Sequence, residues 1–167
     1  MSPTEERELA AFKAAVYAGS NYKKYGASPL CFAAETGNDS MVRLLLEAGE
    51  DVNQSSNDGT TPLMTACFLS TAPAVVKILL AHRANVNATN DRATTALLLA
   101  SQKGNAAIVR LLLEAGAKVN VKSASGNTPI GLATAAGHAE IAALLRTADS
   151  SPRTGLKKSW LLRLLGK

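Results

Sequence analysis

Residues 44–53 read LLLEAGEDVN, and residues 111–120 read LLLEAGAKVN. A blurred copy, ILLAHRANVN, fills 78–87, so the phrase returns at spacings of 34 and 33. A second landmark keeps the same step: SPL at 28, TPL at 61, TAL at 95 and TPI at 128. A fixed period of this length marks units that cannot bury an apolar face alone and must stack on copies of themselves.

Each unit opens with Ser or Thr, which suits a helix N-cap, and three of the four place Pro next, which suits the first helical turn. A short stripe follows: Leu30, Ala33 and Ala34; Leu63, Ala66 and Cys67; Leu97, Ala100 and Ser101; Ile130, Ala133 and Thr134. Its small side chains let neighbouring helices approach closely. Gly37, Gly104 and Gly137 recur at one offset and fit a helix end that needs positive φ. A second helix is predicted from the i, i+1, i+3, i+4 spacing of Met41, Val42, Leu44 and Leu45 and its three later equivalents. Gly49 and Gly116 end that helix in two of the units, and a polar loop leads to the next Thr-Pro-Leu.

The signature of T-P-L, A-A, G-N, V-x-L-L-L-E-A-G-A and V-N resembles the ankyrin repeat over about residues 5–148. The resemblance implies an all-α, ankyrin-repeat solenoid of stacked helix-turn-helix units with projecting β-hairpin loops. The expected organisation is an ankyrin-repeat domain over 1–150, with a cap at 1–27, repeats at 28–60, 61–94, 95–127 and 128–150, and a basic amphipathic tail at 151–167. The His usual after T-P-L in the family is replaced by Cys31, Met64, Leu98 and Gly131. Apolar packing is therefore expected to do more of the joining between units.

Bulk properties agree with stacked helices. Apolar residues make up 47% of the 167 residues but aromatics only 4%, so the core comes from Leu, Val, Ile and Ala. The net charge of +5 lies wholly in the tail. Residues 151–167 hold five of the 18 Lys and Arg and none of the 13 acids, which leaves 13 against 13 in the body. The body thus offers no basic footprint for nucleic acid. No run of 18 apolar residues spans a bilayer. The acidic start, MSPTEERELAAF, is unlike a secretory signal. Cys31 and Cys67 lack metal-ligand spacing and read as buried free thiols in a reducing, cytoplasmic setting. His82 and His138 have no partner pattern for metal or catalysis, and no nucleophile elbow, phosphate loop or dinucleotide motif is present. No enzyme activity, metal or cofactor is expected.

The resemblance implies a non-enzymatic module, a monomer, that binds another protein through hairpin tips and the concave face of the first helices. The family's variable positions carry Lys23, Lys24, Tyr25, Glu35 and Thr36 in the first unit. They carry Asn57, Asp58, Thr60, Phe68 and Leu69 in the second, Asp91, Arg92, Thr94, Gln102 and Lys103 in the third, and Ser125 and Asn127 in the last. Phe68 and Leu69 replace the polar pairs Glu35–Thr36 and Gln102–Lys103, beside a one-residue insertion and Pro73. They read either as a binding hot spot or as packing for the enlarged turn.

The family also includes targets of asparaginyl hydroxylation, and Asn53, preceded by Asp51-Val52 and by Leu45, matches that pattern. In the tail, LKKSWLLRLLGK follows the linker SSPRTG. It reads as a cap for the last unit, a helix for a partner's groove, or a membrane anchor. In the last reading the chain is a membrane-associated adaptor that makes peripheral contact through Lys157, Lys158, Trp160 and Arg163.

Overall fold

A computed structural model describes residues 1–19, 24–69 and 72–150. Nine helices occur among the described residues: α1 (Pro3–Ala18), α2 (Pro29–Thr36), α3 (Asp39–Glu47), α4 (Pro62–Leu69), α5 (Pro73–Ala81), α6 (Ala96–Lys103), α7 (Ala106–Glu114), α8 (Pro129–Ala135) and α9 (Ala139–Ser150). They form an all-α repeat solenoid. The short helices α2, α4, α6 and α8 stack side by side as an inner layer, and α3, α5, α7 and α9 stack behind them.

The repeated letters act as expected. Ser28, Thr61, Thr95 and Thr128 cap the inner helices, each hydroxyl oxygen accepting the main-chain N–H three residues on, at 3.0–3.3 Å. Asn38 and Asn105 cap α3 and α7 in the same way. In the second unit Ala72 stands at that position and offers no side-chain cap. Gly37 and Gly104 end α2 and α6 at φ 70° and 82°, in the left-handed region that glycine enters without strain.

One continuous core joins the units. Leu45, Leu79, Leu112 and Leu145 are fully buried at the same register, between the layers. The fourth unit is the last one among the described residues, and Thr134, Ala135 and Ala143 are exposed on it.

At the N-terminus Ser2 and Glu5 form a reciprocal capping box, with the Ser2 N–H donating to Glu5 Oε2 at 2.5 Å and the Glu5 N–H to Ser2 Oγ at 3.3 Å. α1 packs against both α2 and α3, covering the open end of the first unit with Leu9 and Val16. Lys13 ties it to Glu50 at 2.6 Å.

The projecting loops depart from the hairpin expectation, since no strand is formed among the described residues. Each loop closes as a tight turn through two main-chain bonds: the Ser56 N–H to Thr60 O with the Gly59 N–H to Ser56 O, the Asn90 N–H to Thr94 O with the Ala93 N–H to Asn90 O, and the Ser123 N–H to Asn127 O with the Gly126 N–H to Ser123 O. Successive tips are joined by single main-chain bonds, from the Asn57 N–H to Tyr25 O, the Asp91 N–H to Asp58 O and the Ala124 N–H to Arg92 O. One main-chain bond per neighbour is too few for a ladder. The insertion at Ser70–Thr71 and the tail from Ser151 onward lie outside the described residues, as do the three readings of that tail.

Candidate functional site

The exposed side of the inner layer holds a hollow of about 650 Å³ where α1, α2, α4 and the loop tips carrying Lys24, Asp58 and Arg92 meet. Its floor is apolar: Phe12, Ala15 and Val16 come from α1, Phe32 from α2 and Leu69 from α4. Phe12 and Phe32 meet with ring centroids 5.9 Å apart and planes tilted by 55°. This tilted contact is the geometry aromatic pairs prefer. Cys31 and Thr65 close the wall between α2 and α4.

Charge is placed at the two ends. Lys24, Asp58 and Arg92 stand at the tips, and Glu35 stands in the last turn of α2. Asp58 is occupied within its own turn: its carboxylate accepts from Ser56 Oγ at 2.7 Å, from the Thr60 N–H at 3.1 Å and from Thr60 Oγ1 at 3.0 Å. Those bonds, the Ser56 hydroxyl first, hold its pKa below the ordinary carboxylate value. Lys24 Nζ lies 5.0 Å from the centre of the Tyr25 ring. Neither Glu35 nor Arg92 takes part in an ion pair among the described residues.

A smaller hollow of about 430 Å³ adjoins it below, lined by Cys67, Phe68, Leu69, Lys103, Gly104 and Asn105. Lys103 Nζ sits 4.0 Å over the Phe68 ring. Leu69 borders both hollows. Phe32, Phe68 and Leu69 are 37%, 38% and 49% exposed, so none of the three is consumed by the core.

Eight residues expected from the sequence thus line the larger hollow: Lys24, Tyr25, Glu35, Asn57, Asp58, Thr60, Leu69 and Arg92. Phe68 and Lys103 belong to the smaller one. Others are turned to structural work. Thr36 Oγ1 donates back to Phe32 O and Ala33 O, both at 3.2 Å. Thr94 is held in its turn by Asn90 Oδ1, and the carbonyl of Gln102 is bonded to His138 Nε2 at 3.2 Å. Asp91, Ser125 and Asn127 stand exposed on the later tips, away from either hollow. Lys23 and the tail residues Lys157, Lys158, Trp160 and Arg163 lie outside the described residues.

Phe12, Ala15, Val16 and Phe32 were not among the expected contacts. Phe32 had a readable signal: it falls off the Leu30–Ala33–Ala34 stripe, so on a short helix its ring must point away from the core. Asn53 has a structural task, its side-chain oxygen accepting the Asn85 N–H at 2.8 Å.

His82 Nδ1 is bonded to Ile78 O at 2.9 Å. Burial pushes the Cys67 thiol up to about 12 and raises that of Cys31, so both stay protonated and inert at neutral pH. No cluster of three or more His, Cys, Asp or Glu able to hold a metal occurs among the described residues. No helix among them is long and apolar enough to cross a membrane.

Comparison with known proteins gives short matches among curated relatives. The chain is 46% identical over 67 residues to the E3 ubiquitin-protein ligase XBAT33 of Arabidopsis thaliana, which is 39% of this chain and 13% of that protein. It is 40% identical over 70 residues to the probable E3 ubiquitin-protein ligase XBOS32 of Oryza sativa subsp. japonica, 41% of this chain and 14% of that protein. The chain therefore spans about one seventh of the length of these relatives or less. A family model described as ankyrin repeats in three copies matches residues 5–90 and again 70–154. With the period, the caps and the two-layer stack all agreeing, the chain belongs to the ankyrin-repeat family, whose repeats are protein–protein interaction modules.

Proposed function

We propose that the chain is a non-catalytic, monomeric interaction module of a reducing intracellular compartment, and that it grips a partner protein with its concave face and loop tips. The observation that carries this reading is the apolar hollow, with Phe32, Phe68 and Leu69 left exposed beside it. Exposed apolar side chains grouped on one face of a small protein mark a contact surface. The polar tips around them, Asn57, Asp58, Asp91 and Arg92, supply the mixed rim that protein interfaces carry. The balanced charge of residues 1–150 fits a protein partner better than a polyanion.

The test is affinity capture with the full chain, run in parallel with Leu69→Glu and with Arg43→Glu. Arg43 is exposed on α3, in the outer layer. A protein retained by the wild type and by Arg43→Glu, and lost with folded Leu69→Glu, supports the reading. Retention by Leu69→Glu with loss from Arg43→Glu would move binding to the opposite face.

A further inference from the structure

The larger hollow has a direction. It follows α2, whose eight residues span roughly 12 Å at about 1.5 Å of rise each. At the N-terminal end of α2 stand the tips with Lys24 and Arg92, and at its last turn stands Glu35. Asp58 also stands at the tip end, but its carboxylate is taken up by Ser56 and Thr60. Asp58 stays ionised, but Lys24 and Arg92 outnumber it, so the tip end carries net positive charge and the far end carries the negative charge of Glu35.

The helices deepen that polarity. α2 and α4 run parallel in the stack, with their positive N-terminal ends at the tips and their negative C-terminal ends at the turn. Glu35 adds a like charge to the C-terminal end of α2, where a basic residue would favour folding. An acid that opposes its own helix, and that has no ion-pair partner among the described residues, is better explained by a cation supplied from outside.

We propose that the hollow receives a partner's peptide segment in a single orientation. An acidic side chain faces Lys24 and Arg92, a bulky aliphatic or aromatic side chain fills the floor formed by Phe12, Phe32 and Leu69, and a basic side chain meets Glu35. On a helical segment these three groups share one face about two turns long, and on an extended segment they fall within a few residues. The inference rests on the reading that the concave face binds protein, and it specifies the chemistry of that partner.

A random peptide display library, selected on the full chain and separately on the Glu35→Arg/Arg92→Glu variant, tests it. The expected result is enriched peptides with the order acid, bulky apolar, base on the wild type, and the inverted order on the variant. Each peptide class should prefer its own protein by about tenfold or more, because like charges brought together at an interface cost several-fold more than a lost contact. Binding should disappear with Leu69→Glu, or with Thr65→Lys on the same wall should the first variant not fold. The same charge order on both proteins, or no charge order, overturns the inference. Peptides that survive Leu69→Glu but are lost with Lys103→Glu place the contact elsewhere on the concave face, which sinks this inference and leaves the broader reading intact. No enrichment over an unfolded control overturns both. If removing residues 151–167 is needed before any peptide binds, the chain's own tail occupies the hollow and the external partner is excluded.

Discussion

The side-chain oxygen of Asn87 accepts the main-chain N–H of Lys118 at 2.8 Å, and its amide nitrogen donates to Gly116 O at 3.2 Å. One asparagine thus satisfies two groups at the end of the next unit's outer helix. Asn53 makes the first of these bonds one unit earlier, to Asn85. The V-N that closes each repeated phrase is therefore a stitch between consecutive units, placed behind the loops.

Asn87→Ala should cost about 1–3 kcal/mol, since both the Lys118 N–H and the Gly116 carbonyl lose their partner in a half-buried site. Asn120→Ala should cost less, because its partner is the exposed carboxylate of Asp149 near the end of the stack. Urea unfolding of the two variants decides the matter. Equal losses would show that the asparagines act within their own turns and not between units.

The blurred middle copy of the phrase carries measurable strain. Arg83 occupies the position of Gly49 and Gly116 and adopts φ 65°, against 85° and 88° for the glycines. Ala93 likewise stands at φ 52° where Gly59 and Gly126 adopt 78° and 79°. A side chain in the left-handed region costs roughly 1–2 kcal/mol, of which glycine returns part to unfolded-state entropy. Arg83→Gly and Ala93→Gly should each raise stability by about 0.5–1 kcal/mol. A fall in the thermal midpoint of either variant would contradict the strain.

Much of this architecture was legible because it is periodic. Caps, glycine ends and the Leu register recur at a step of 33 or 34, so each unit checks the others. The hollow was harder to read. Leu9, Phe12 and Val16 share one face of α1, but Phe12 divides between the core and the groove because α1 lies outside the repeat register. Its floor joins Phe12, Phe32 and Leu69, which come from three helices, and only the stacking brings them together. The pairing of Lys103 with Phe68 is likewise a product of neighbouring units. Arg83 and Ala93 stand in glycine positions that an alignment of the units exposes, yet the conformation forced on them appears only in the backbone.

The buried thiols should make the fold sensitive to alkali. Desolvation raises the pKa of Cys67 to about 12 and raises that of Cys31 as well. An unfolded cysteine ionises near 8.5, so above that pH the unfolded chain has lost protons that the folded chain still holds. Stability is fully present below about 8.5 and should fall as pH rises toward 12, by up to about 1.4 kcal/mol per pH unit for Cys67. Cys67→Ala should be less stable at neutral pH but show a shallower decline between pH 8.5 and 10.5. Parallel curves for the two proteins would remove Cys67 as the cause.

Phe68 separates binding from stability. Its ring is 38% exposed, and its specific contact is the Lys103 ammonium, worth about 0.5–1 kcal/mol at an exposed site. Removing the ring should therefore leave the fold nearly intact: Phe68→Ala should lower stability by about 1 kcal/mol, far below the 3–5 kcal/mol of a buried phenylalanine. If the ring is a contact for the partner, the same change should weaken binding by about 2 kcal/mol or more, roughly thirtyfold. Lys103→Met tests the stacking itself. With the cation gone and the aliphatic stem retained, affinity should change less than in Phe68→Ala unless the ammonium also meets the partner. Calorimetric titration and thermal melts on the same samples give both numbers. A stability loss near that of a core residue would place Phe68 in the turn, and unchanged affinity in a folded Phe68→Ala protein would take it out of the interface.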